Sequence, residues 1–433
     1  MNISIFGLGY VGCVGLGCLA QSGHNVIGID VTETKVDLIN SGHATIVEKD
    51  IDEMIQRGQK EGRIIATLNS HKSVINSEIA IICVGTPNNE FGHLNMEYIE
   101  KVSGQIGVAL KDKKEFFTIA IRSTVIPGTN KKVGEIIANM SGKKNNIDFA
   151  VVSNPEFLRE GTAVDDYFNP PYTVVASESD KAVEVMKNVY KSVKGEFIRI
   201  DIGSAELIKF VNNSFHALKV AFTNEIGRIC KSLHVDSHDL MNLFVKDKIL
   251  NISPYYLKPG FAYGGSCLPK DLKSLNTLAH DNYLEVPILS SIDNSNRFHI
   301  DFAYNLIAER NIRKIGFYNI SFKPGTDDLR FSPALELVER FLGKGFKVSI
   351  YDKNVNLSKL TGKNKEYLFD KLPHIEEILL DDMSTFIECN DLVIISNADE
   401  EVNEMLSGNV EIIDLAHVSN KADVFENYEG LCW

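Results

Sequence analysis

The chain of 433 residues lacks the basic excess that binding to nucleic acid or to an anionic membrane requires. Its 45 Lys and Arg residues stand against 58 Asp and Glu residues, so the formal net charge is −13. Since such partners present many phosphates, we expect neither of them. A small anionic ligand remains compatible with this charge where a few cations gather locally.

Paired cysteines are also missing. The seven cysteines are odd in number and scattered, with no CxxC pair and no ligand-like grouping with histidine. We therefore predict reduced thiols in a cytoplasmic protein, without a disulfide framework or a metal site.

Long apolar runs, low-complexity segments and long linkers are absent as well. No apolar run approaches about 18 residues, and the chain opens on a strand pattern without a basic segment and cleavage site, so we expect no membrane span and no signal peptide. The composition, 44% hydrophobic and 24% charged, is typical of a globular protein, and the length suits two or three domains.

A glycine-rich loop follows the first strand pattern. Residues 3–6 run directly into Gly7-Leu8-Gly9-Tyr10-Val11-Gly12, and a second strand pattern at 25–29 ends at Asp30. Such a loop turns tightly, admits a pyrophosphate and packs helix against strand, while the acid can accept both ribose hydroxyls and would repel a 2′-phosphate. The pattern predicts an NAD site. Lys35 either lies over the adenosine side or is a solvated helix lysine.

Three further apolar runs, 79–84, 117–121 and 149–152, end in polar turns. Because the carboxyl ends of parallel strands share one edge, we expect Thr86, Thr124 and Glu156 to face the same crevice as the glycine loop. For Thr86, the interpretation as a simple turn residue before a proline is nearly as good. Glu156 and Glu160 would share one face of a helical turn, or mark a solvated helix start.

A helical stretch over about 204–233 carries a polar stripe. Lys209, Asn213, His216 and Asn224 recur at helical spacing among apolar and small residues, which favours a ligand-lining face. The same helix is also suited to forming a dimer, and the pattern does not separate the two roles.

The loop 264–271 is the most distinctive stretch. Two glycines allow close approach to a ligand, Cys267 follows, and Lys270 and Asp271 lie where they could tune the thiol or a substrate beside it. A lone cysteine is most often a small buried hydrophobe. The surrounding residues therefore carry the hypothesis that Cys267 is a nucleophile.

A second α/β pattern begins at 313–318. Residues 343–352 read like residues 21–30, and further strands are predicted at 392–395 and 412–415. The loop 321–330 replaces a glycine motif, and its Lys323 and Arg330 either meet phosphates or are ordinary surface charges.

Four motifs occur in order: GLGYVG at 7–12, NPEFLRE at 154–160, GGSCLPKD at 264–271 and FKPGTD at 322–327. With them the whole chain resembles the UDP-glucose/GDP-mannose dehydrogenase family. It is most similar to the members that act on GDP-mannose, through Leu268, Tyr255-Tyr256, the PGF at 259–261 and the final GLCW.

The resemblance implies an α/β protein with two Rossmann-like doubly wound domains, joined by a long central helix and a helical dimerisation region. Residues 1–202 would bind NAD, 203–300 would form the central helical and dimerisation region with the catalytic cysteine loop, and 301–433 would bind the nucleotide sugar. It also implies a homodimer or higher homo-oligomer built through the central helix.

The implied reaction is an NAD-dependent four-electron oxidation of GDP-mannose at C6 to GDP-mannuronate. A thiolate would capture the intermediate aldehyde as a thiohemiacetal, which becomes a thioester that water hydrolyses. The product would serve assembly of an acidic polysaccharide such as alginate.

The resemblance also implies roles for single residues. Cys267 is the nucleophile, and Lys209 with Asn213 stabilises oxyanionic intermediates. Protons and water are handled by Glu156, Thr124 and Asp271. The implied NAD contacts are Gly7, Gly9, Tyr10, Val11, Gly12, Asp30, Lys35, Thr86, Thr124, Lys270 and Arg330. The implied nucleotide-sugar contacts are Glu160, Lys209, Asn213, His216, Asn224, Tyr255, Tyr256, Lys258, Phe261, Gly264 and Lys323.

Two residues depart from the family pattern. Lys258 replaces an arginine of the GDP-mannose-oxidising members, which exchanges a bidentate phosphate fork for a point charge. Phe331 follows Arg330 where an acid is usual, which leaves the hydrogen bonding of that arginine open. The alternatives are a 6-dehydrogenase for UDP-glucose or another UDP-sugar and, in a different class, a catalytically silent sensor of NAD and nucleotide sugars. The intact catalytic set argues against the sensor.

Overall fold

A computed structural model of the chain describes residues 1–90, 93–254, 256–257, 259–265, 267–321, 328–355, 357, 362–397, 399, 402, 410–418 and 427–432. The chain divides into two compact units, Met1–Ala217 and Leu218–Trp433.

The first unit alternates strands and helices. Its strands are β1 (Asn2–Phe6), β2 (Asn25–Ile29), β3 (Ile64–Thr67), β4 (Ile79–Ile82), β5 (Phe117–Ile121), β6 (Phe149–Ser153), β7 (Tyr172–Val175) and β8 (Glu196–Arg199). Its helices are α1 (Tyr10–Gln21), α2 (Glu33–Asn40), α3 (Ile51–Lys60), α4 (Ser70–Ile75), α5 (Glu97–Leu110), α6 (Thr129–Ser141), α7 (Ala163–Phe168) and α8 (Asp180–Val189), and α9 (Ile202–Ser232) continues into the second unit.

The main sheet of this unit is parallel, with the strand order β3-β2-β1-β4-β5-β6. Every residue of β5 and β6 is buried, because helices cover both faces of the sheet. The order reverses between β1 and β4, which opens a crevice at their carboxyl ends. The glycine loop follows β1 at this point.

The second unit begins with helices and ends in a smaller sheet. After α9 come α10 (Ser237–Phe244), α11 (Leu268–Asp281), α12 (Pro287–Ala308), β9 (Lys314–Tyr318), α13 (Pro333–Gly343), β10 (Lys347–Tyr351), α14 (Gly362–Lys371), α15 (Ile375–Ile378), α16 (Met383–Cys389), β11 (Leu392–Ile395), β12 (Glu411–Asp414) and β13 (Tyr428–Gly430).

This second sheet is also parallel, with the order β10-β9-β11-β12-β13. Its core contains Phe317 and Phe341, both fully buried, and α13 packs over the sheet. Two parallel sheets with covering helices and a long α9 confirm the predicted α/β class with two Rossmann-like folds. The predicted helix over 204–233 is observed as Ile202–Ser232.

A small helical cluster precedes the second sheet. Ile229 of α9 packs with Ala279 of α11 and Leu289 of α12. The buried carboxylate of Glu225 accepts hydrogen bonds from the backbone amides of Ile288 (2.8 Å) and Leu289 (3.0 Å), which have no partner within the first turn of α12. Within the described residues, none of the helices combines the length and the apolar character needed to cross a membrane.

Candidate active site

The glycine loop after β1 is held tightly against β2. Gly7 has a φ of 97° and donates its N–H to the Ile29 carbonyl at 2.7 Å. A Cβ on Gly12 would lie 1.8 Å from the Gly7 carbonyl oxygen, so a side chain there cannot fit without a shift of the backbone. Next to Gly9, by contrast, a Cβ would meet no atom within 4 Å. The loop therefore packs closely on one side and leaves room on the other.

Asp30 secures the same loop from the end of β2. Its carboxylate accepts the Leu8 amide at 2.8 Å, the Thr32 amide at 2.9 Å and the Lys35 ammonium at 3.1 Å. Burial raises the pKa of the Asp30 carboxyl, but these hydrogen bonds together hold that pKa below its usual value. Asp30 thus stays ionised, and Lys35 lies against it as a partner.

Tyr10 connects the loop to the segment that follows β6. Its hydroxyl donates to the Glu48 carboxylate, which also accepts the amides of Gly161 at 2.8 Å and Ala163 at 3.3 Å. Burial, and then the hydrogen bond to Glu48, raises the pKa of Tyr10 well above its ordinary value. Sequence reasoning did not identify Glu48, because nothing in the spacing of residues 7–12 and 154–160 indicates a shared partner at 48.

Glu156 and Lys209 form an ion pair in a narrow cleft that Thr124 also lines. The Glu156 carboxylate lies 3.0 Å from the Lys209 ammonium, and the two side chains are only 11% and 13% exposed. The other Glu156 oxygen accepts the Leu158 amide at 2.6 Å. The structure thus brings together three of the predicted catalytic residues. Carboxylate and ammonium side chains are among the groups that general acid–base catalysis uses.

Thr86 lies at the same edge of the sheet. Its hydroxyl donates to the Thr124 carbonyl at 2.7 Å, which ties the turn after β4 to the turn after β5. This contact gives Thr86 a structural role and brings it together with Thr124 at the strand ends.

The helical turn considered for 156–160 is absent, so that expectation was wrong. Residues 154–159 form no helix, and α7 begins only at Ala163. Proline at 155 and the hydrogen bond of Glu156 to the Leu158 amide favour an irregular turn. Glu160 is exposed and lies close enough to Tyr10 to contribute to the raised pKa of that tyrosine.

Glu206 positions the first turns of α9, on which Lys209 lies. Its side chain is buried and accepts the amides of Gly128 and Asn130, both at 2.7 Å, at the start of α6. Burial raises the pKa of the Glu206 carboxyl despite these bonds. Sequence reasoning missed Glu206, since a carboxylate that caps a distant helix has no local signature.

The polar stripe of α9 is not uniform. Lys209 is largely buried against Glu156, whereas Asn213, His216 and Asn224 are exposed. Exposed neighbours such as Val211 (51%) show that this part of the helix presents apolar residues as well.

Cys267 is exposed and forms the N-cap of α11, its carbonyl accepting the Asp271 amide at 2.9 Å. Asp271 pairs with Lys270 at 3.3 Å, and both side chains are about 70% exposed, namely 71% and 68%. Cys267 is thus an accessible thiol rather than a buried small hydrophobe.

Arg330 lies near this thiol. Its guanidinium donates two hydrogen bonds to Asp328, at 2.9 and 2.7 Å. Asp328 thus provides the acidic partner that Phe331 cannot provide. These bonds are the main reason that the pKa of Arg330 is raised, and Cys267, when ionised, adds to the effect.

The remaining predicted contacts of the second unit are distributed unevenly. Tyr256 is 77% exposed, Phe261 packs against the core of the second sheet, and Gly264 lies against Phe331. Tyr255, Lys258 and Lys323 fall outside the described residues. Across the described ranges, no group of three or more His, Cys, Asp or Glu residues is arranged to hold a metal ion.

Three family models match successive parts of the chain. They are the NAD binding domain (1–194), the central domain (203–298) and the UDP binding domain (316–423) of the UDP-glucose/GDP-mannose dehydrogenase family. The chain belongs to the UDP-glucose/GDP-mannose dehydrogenase family.

Members of this dehydrogenase family resemble the chain over its full length. The GDP-mannose 6-dehydrogenase of Pseudomonas aeruginosa is 43% identical over 438 residues, with all of both chains covered. A crystal structure of a ternary complex of GDP-mannose dehydrogenase from the same organism matches with a TM-score of 0.96 at 42% identity, again over all of both chains. The UDP-glucose 6-dehydrogenase of Bacillus subtilis is 32% identical, covering 81% of this chain and 79% of its own.

The glycine loop fits the NAD of this dehydrogenase family. Open space at Gly9 leaves room for a pyrophosphate, and the tight contact at Gly12 keeps α1 close to β1. The ionised carboxylate of Asp30 suits ribose hydroxyls and disfavours a 2′-phosphate. The predicted cofactor, NAD, is confirmed by the family assignment.

Proposed function

We propose that this chain oxidises the C6 alcohol of GDP-mannose to the carboxylate of GDP-mannuronate, with two NAD⁺ reduced per sugar. The observation that carries the proposal is 43% identity to a GDP-mannose 6-dehydrogenase over the whole of both chains. The UDP-glucose 6-dehydrogenase named above is less similar and matches only in part. The product would supply assembly of an acidic polysaccharide such as alginate.

The chemistry explains why an accessible thiol is needed. NAD⁺, when bound, accepts a hydride in each of the two oxidations. Oxidation of the alcohol gives an aldehyde, and the Cys267 sulfur adds to its carbonyl carbon while the carbonyl oxygen takes up a proton. Loss of a second hydride and of that proton converts the thiohemiacetal to a thioester. Water then adds, the carbon–sulfur bond breaks, and acid and thiol are released.

The Glu156–Lys209 pair supplies proton handling and positive charge. We assign Glu156, with Thr124 and Asp271, to protons and water, and Lys209 with Asn213 to stabilisation of oxyanionic intermediates. Support comes from the 3.0 Å contact between the Glu156 carboxylate and the Lys209 ammonium in a cleft that Thr124 lines.

The binding assignments made from the sequence are kept as proposals. For NAD they are Gly7, Gly9, Tyr10, Val11, Gly12, Asp30, Lys35, Thr86, Thr124, Lys270 and Arg330. For the nucleotide sugar they are Glu160, Lys209, Asn213, His216, Asn224, Tyr255, Tyr256, Lys258, Phe261, Gly264 and Lys323. The three-part division at 1–202, 203–300 and 301–433 is proposed on the same basis, and the ranges of the family models support it.

We further propose a homodimer or higher homo-oligomer that forms through α9. Its exposed apolar side chains include Val211 (51%), Leu218 (46%) and Val220 (61%), and large exposed apolar surfaces are typical of interaction sites. A cytoplasmic location is proposed because none of the seven cysteines, all of which are among the described residues, forms a disulfide bond. Light scattering on the purified protein measures the oligomeric state, and a monomeric mass would overturn the dimer.

The deciding experiment measures NADH released per sugar with limiting GDP-mannose and, in parallel, limiting UDP-glucose. We expect two NADH from GDP-mannose only. Cys267→Ala should form no acid, whereas the matched exposed-cysteine control Cys389→Ala should behave as the wild type.

Two NADH from UDP-glucose alone would keep the mechanism and overturn the substrate. No NADH from either would point to another sugar or to a silent sensor. Acid formation by Cys267→Ala at the wild-type rate would show that the covalent mechanism is wrong.

A further inference from the structure

The loop that leads to Cys267 has no regular structure of its own. Described residues 259–265 form neither helix nor strand, and Gly264 and Gly265 make the last part intrinsically permissive. A nucleophile on such a loop needs external anchors, because a misplacement of about 1 Å can cost about 100-fold in rate.

Asn296 of α12 provides the first anchor. Its side-chain oxygen accepts the Tyr263 amide at 2.9 Å, and its side-chain nitrogen donates to the Tyr263 carbonyl at 2.9 Å. One side chain therefore satisfies both backbone groups of a loop residue, as a neighbouring strand would. The two bonds fix the peptide planes on both sides of Tyr263.

His299 provides a second anchor on the same face of α12, three residues further on. Its Nε2 lies 2.8 Å from the Gly260 carbonyl. Because a carbonyl oxygen only accepts, this Nε2 carries the proton and donates it. Two side chains of one helix thus hold the loop at two points.

A third contact comes from the segment before α13. A Cβ on Gly264 would lie 2.2 Å from the Phe331 carbonyl oxygen and 2.7 Å from Pro333 Cδ. Phe331 has a φ of 56°, a left-handed conformation that costs a non-glycine residue about 1 kcal/mol. The loop therefore has little room at Gly264.

The helix that carries the two anchors is itself secured. Glu225, whose side chain is 3% exposed, accepts the amides of Ile288 and Leu289 in the first turn of α12. Asn296 lies about two turns further along this 22-residue helix. Glu225 of α9 thus fixes the start of α12, and Asn296 and His299 of α12 in turn hold the loop.

We propose that Asn296, assisted by His299, is a positioning residue that places the Cys267 sulfur for capture of the aldehyde. The inference rests on the proposed function for its chemistry. Cys267 is bracketed by the clamped Tyr263 four residues before it and by α11 directly after it. When the two hydrogen bonds between Asn296 and Tyr263, here called the clamp, are lost, the flexible Gly264 and Gly265 allow the thiol to shift. The residues that carry out the first oxidation are not changed.

The predicted consequence is a separation of the two oxidations. Without capture, the first two-electron step still yields aldehyde and one NADH, but carbon–sulfur bond formation slows. For Asn296→Ala and Asn296→Asp we expect NADH per GDP-mannose to fall from two toward one, with aldehyde trapped by semicarbazide. Acid formation should slow by about 10- to 100-fold.

A set of variants distinguishes loss of the hydrogen bonds to the loop from failure to fold. Asn296→Asp keeps the shape and the acceptor for the Tyr263 amide but loses the donor to the Tyr263 carbonyl, so it tests one bond if Asn296→Ala fails to fold. His299→Ala should show a smaller effect of the same kind, and His299→Gln should restore function because its amide can donate in place of Nε2. Asn294→Ala, an exposed asparagine of the same helix, is the matched control.

A second readout does not depend on the substrate. Iodoacetamide labelling followed by peptide mass spectrometry measures the alkylation rate of Cys267, with exposed Cys389 and Cys432 as internal controls. In the Asn296 variants we expect the alkylation rate of Cys267 to change by about threefold or more, because release of the loop alters the access of the reagent to the thiol. The two control thiols should keep their rates.

Unchanged Cys267 labelling together with two NADH per sugar in both Asn296 variants would overturn the proposal. A changed labelling rate in the Asn296 variants of a protein whose wild type makes no NADH from GDP-mannose would support the role of Asn296 and overturn the proposed function, so the two failures are distinguishable.

Discussion

The glycine loop of the first sheet and the loop after β9 in the second sheet are built alike. After β1, Gly7 donates its amide to the Ile29 carbonyl, and the Asp30 carboxylate accepts the Leu8 amide. Gly7 has a positive φ, which allows the chain to turn back over the end of β2.

Equivalent contacts occur in the loop after β9. Asn319, also with a positive φ (58°), donates its amide to the Tyr351 carbonyl at 2.9 Å. The Asp352 carboxylate accepts the amides of Ile320 at 2.9 Å and Ser321 at 3.2 Å. An acid at the end of the second strand therefore secures the preceding loop in both folds, whether or not a glycine motif is present.

The two carboxylates differ in their electrostatics. Hydrogen bonds, including one from Lys35, hold the pKa of Asp30 below its usual value although burial opposes them. At Asp352 burial dominates, and its pKa is raised despite the amides of Asn354, Ser321 and Ile320. The comparison teaches that the strand-end acid is primarily structural. On the proposed function, the open, glycine-lined side of the first loop is what adds a dinucleotide site.

The largest expected effect tests that glycine lining. Gly12→Ala places a Cβ 1.8 Å from the Gly7 carbonyl oxygen, and overpacking of this kind costs about 1–3 kcal/mol. We expect a lower melting temperature and NAD binding weakened by about 10- to 100-fold in calorimetry. Gly104→Ala in α5, where a Cβ meets no atom within 4 Å, is the control and should be neutral or slightly stabilising. Wild-type NAD affinity in Gly12→Ala would remove the distinction between the two loops.

The next effect distinguishes the role of Asp30 from that of Asp352. Asp30→Asn and Asp352→Asn each turn an NH₂ toward backbone amides, so each should cost about 1–3 kcal/mol of stability in urea denaturation. Asp30→Asn should also weaken NAD binding by about tenfold, because a charged acceptor for ribose is lost. Asp352→Asn should leave NAD affinity within about twofold, as expected for an independent site. Equal losses of NAD affinity in both variants would contradict the comparison.

Much of this arrangement was predictable from the sequence. The strands around the glycine loop and Asp30 have apolar runs that end in recognisable turn residues, and residues 343–352 repeat the pattern of 21–30, so both folds and the cofactor NAD could be predicted. The short strands Ile64–Thr67 and Tyr172–Val175 were not predicted.

The side chains that anchor the candidate functional loops within each unit could not be predicted. Glu48, Glu206 and Asn296 form hydrogen bonds with backbone groups that lie 33 to 115 residues away along the chain. Such a contact requires only one polar side chain, so it leaves no motif and no periodicity. The tertiary fold alone decides which backbone groups it meets.

A smaller effect concerns pH and has opposite signs in the two folds. The lowered pKa of Asp30 gives stability that is full above the unfolded pKa of about 3.9 and is lost as the pH falls through the lower folded value. The raised pKa of Asp352 makes the folded state bind its proton more tightly, so acidification through that higher value favours folding.

Urea denaturation from about pH 7 down to about pH 3 measures both signs. The stability difference between wild type and Asp352→Asn should widen as the pH falls through the raised pKa. The difference between wild type and Asp30→Asn should shrink only below about pH 4. Parallel pH profiles for the two variants would show that their electrostatic environments do not differ.

The smallest expected effect tests how much Lys35 contributes to NAD binding. Its ammonium lies 3.1 Å from the Asp30 carboxylate and its side chain is 36% exposed, and such a pair contributes about 0–1 kcal/mol. Lys35→Met should therefore weaken NAD binding by no more than about fivefold, with a smaller effect at high salt. Lys60→Met, an exposed lysine at the end of α3, is the control. A loss as large as that of Asp30→Asn would show that the proposed contact of Lys35 with NAD carries more binding energy than its ion pair with Asp30 accounts for.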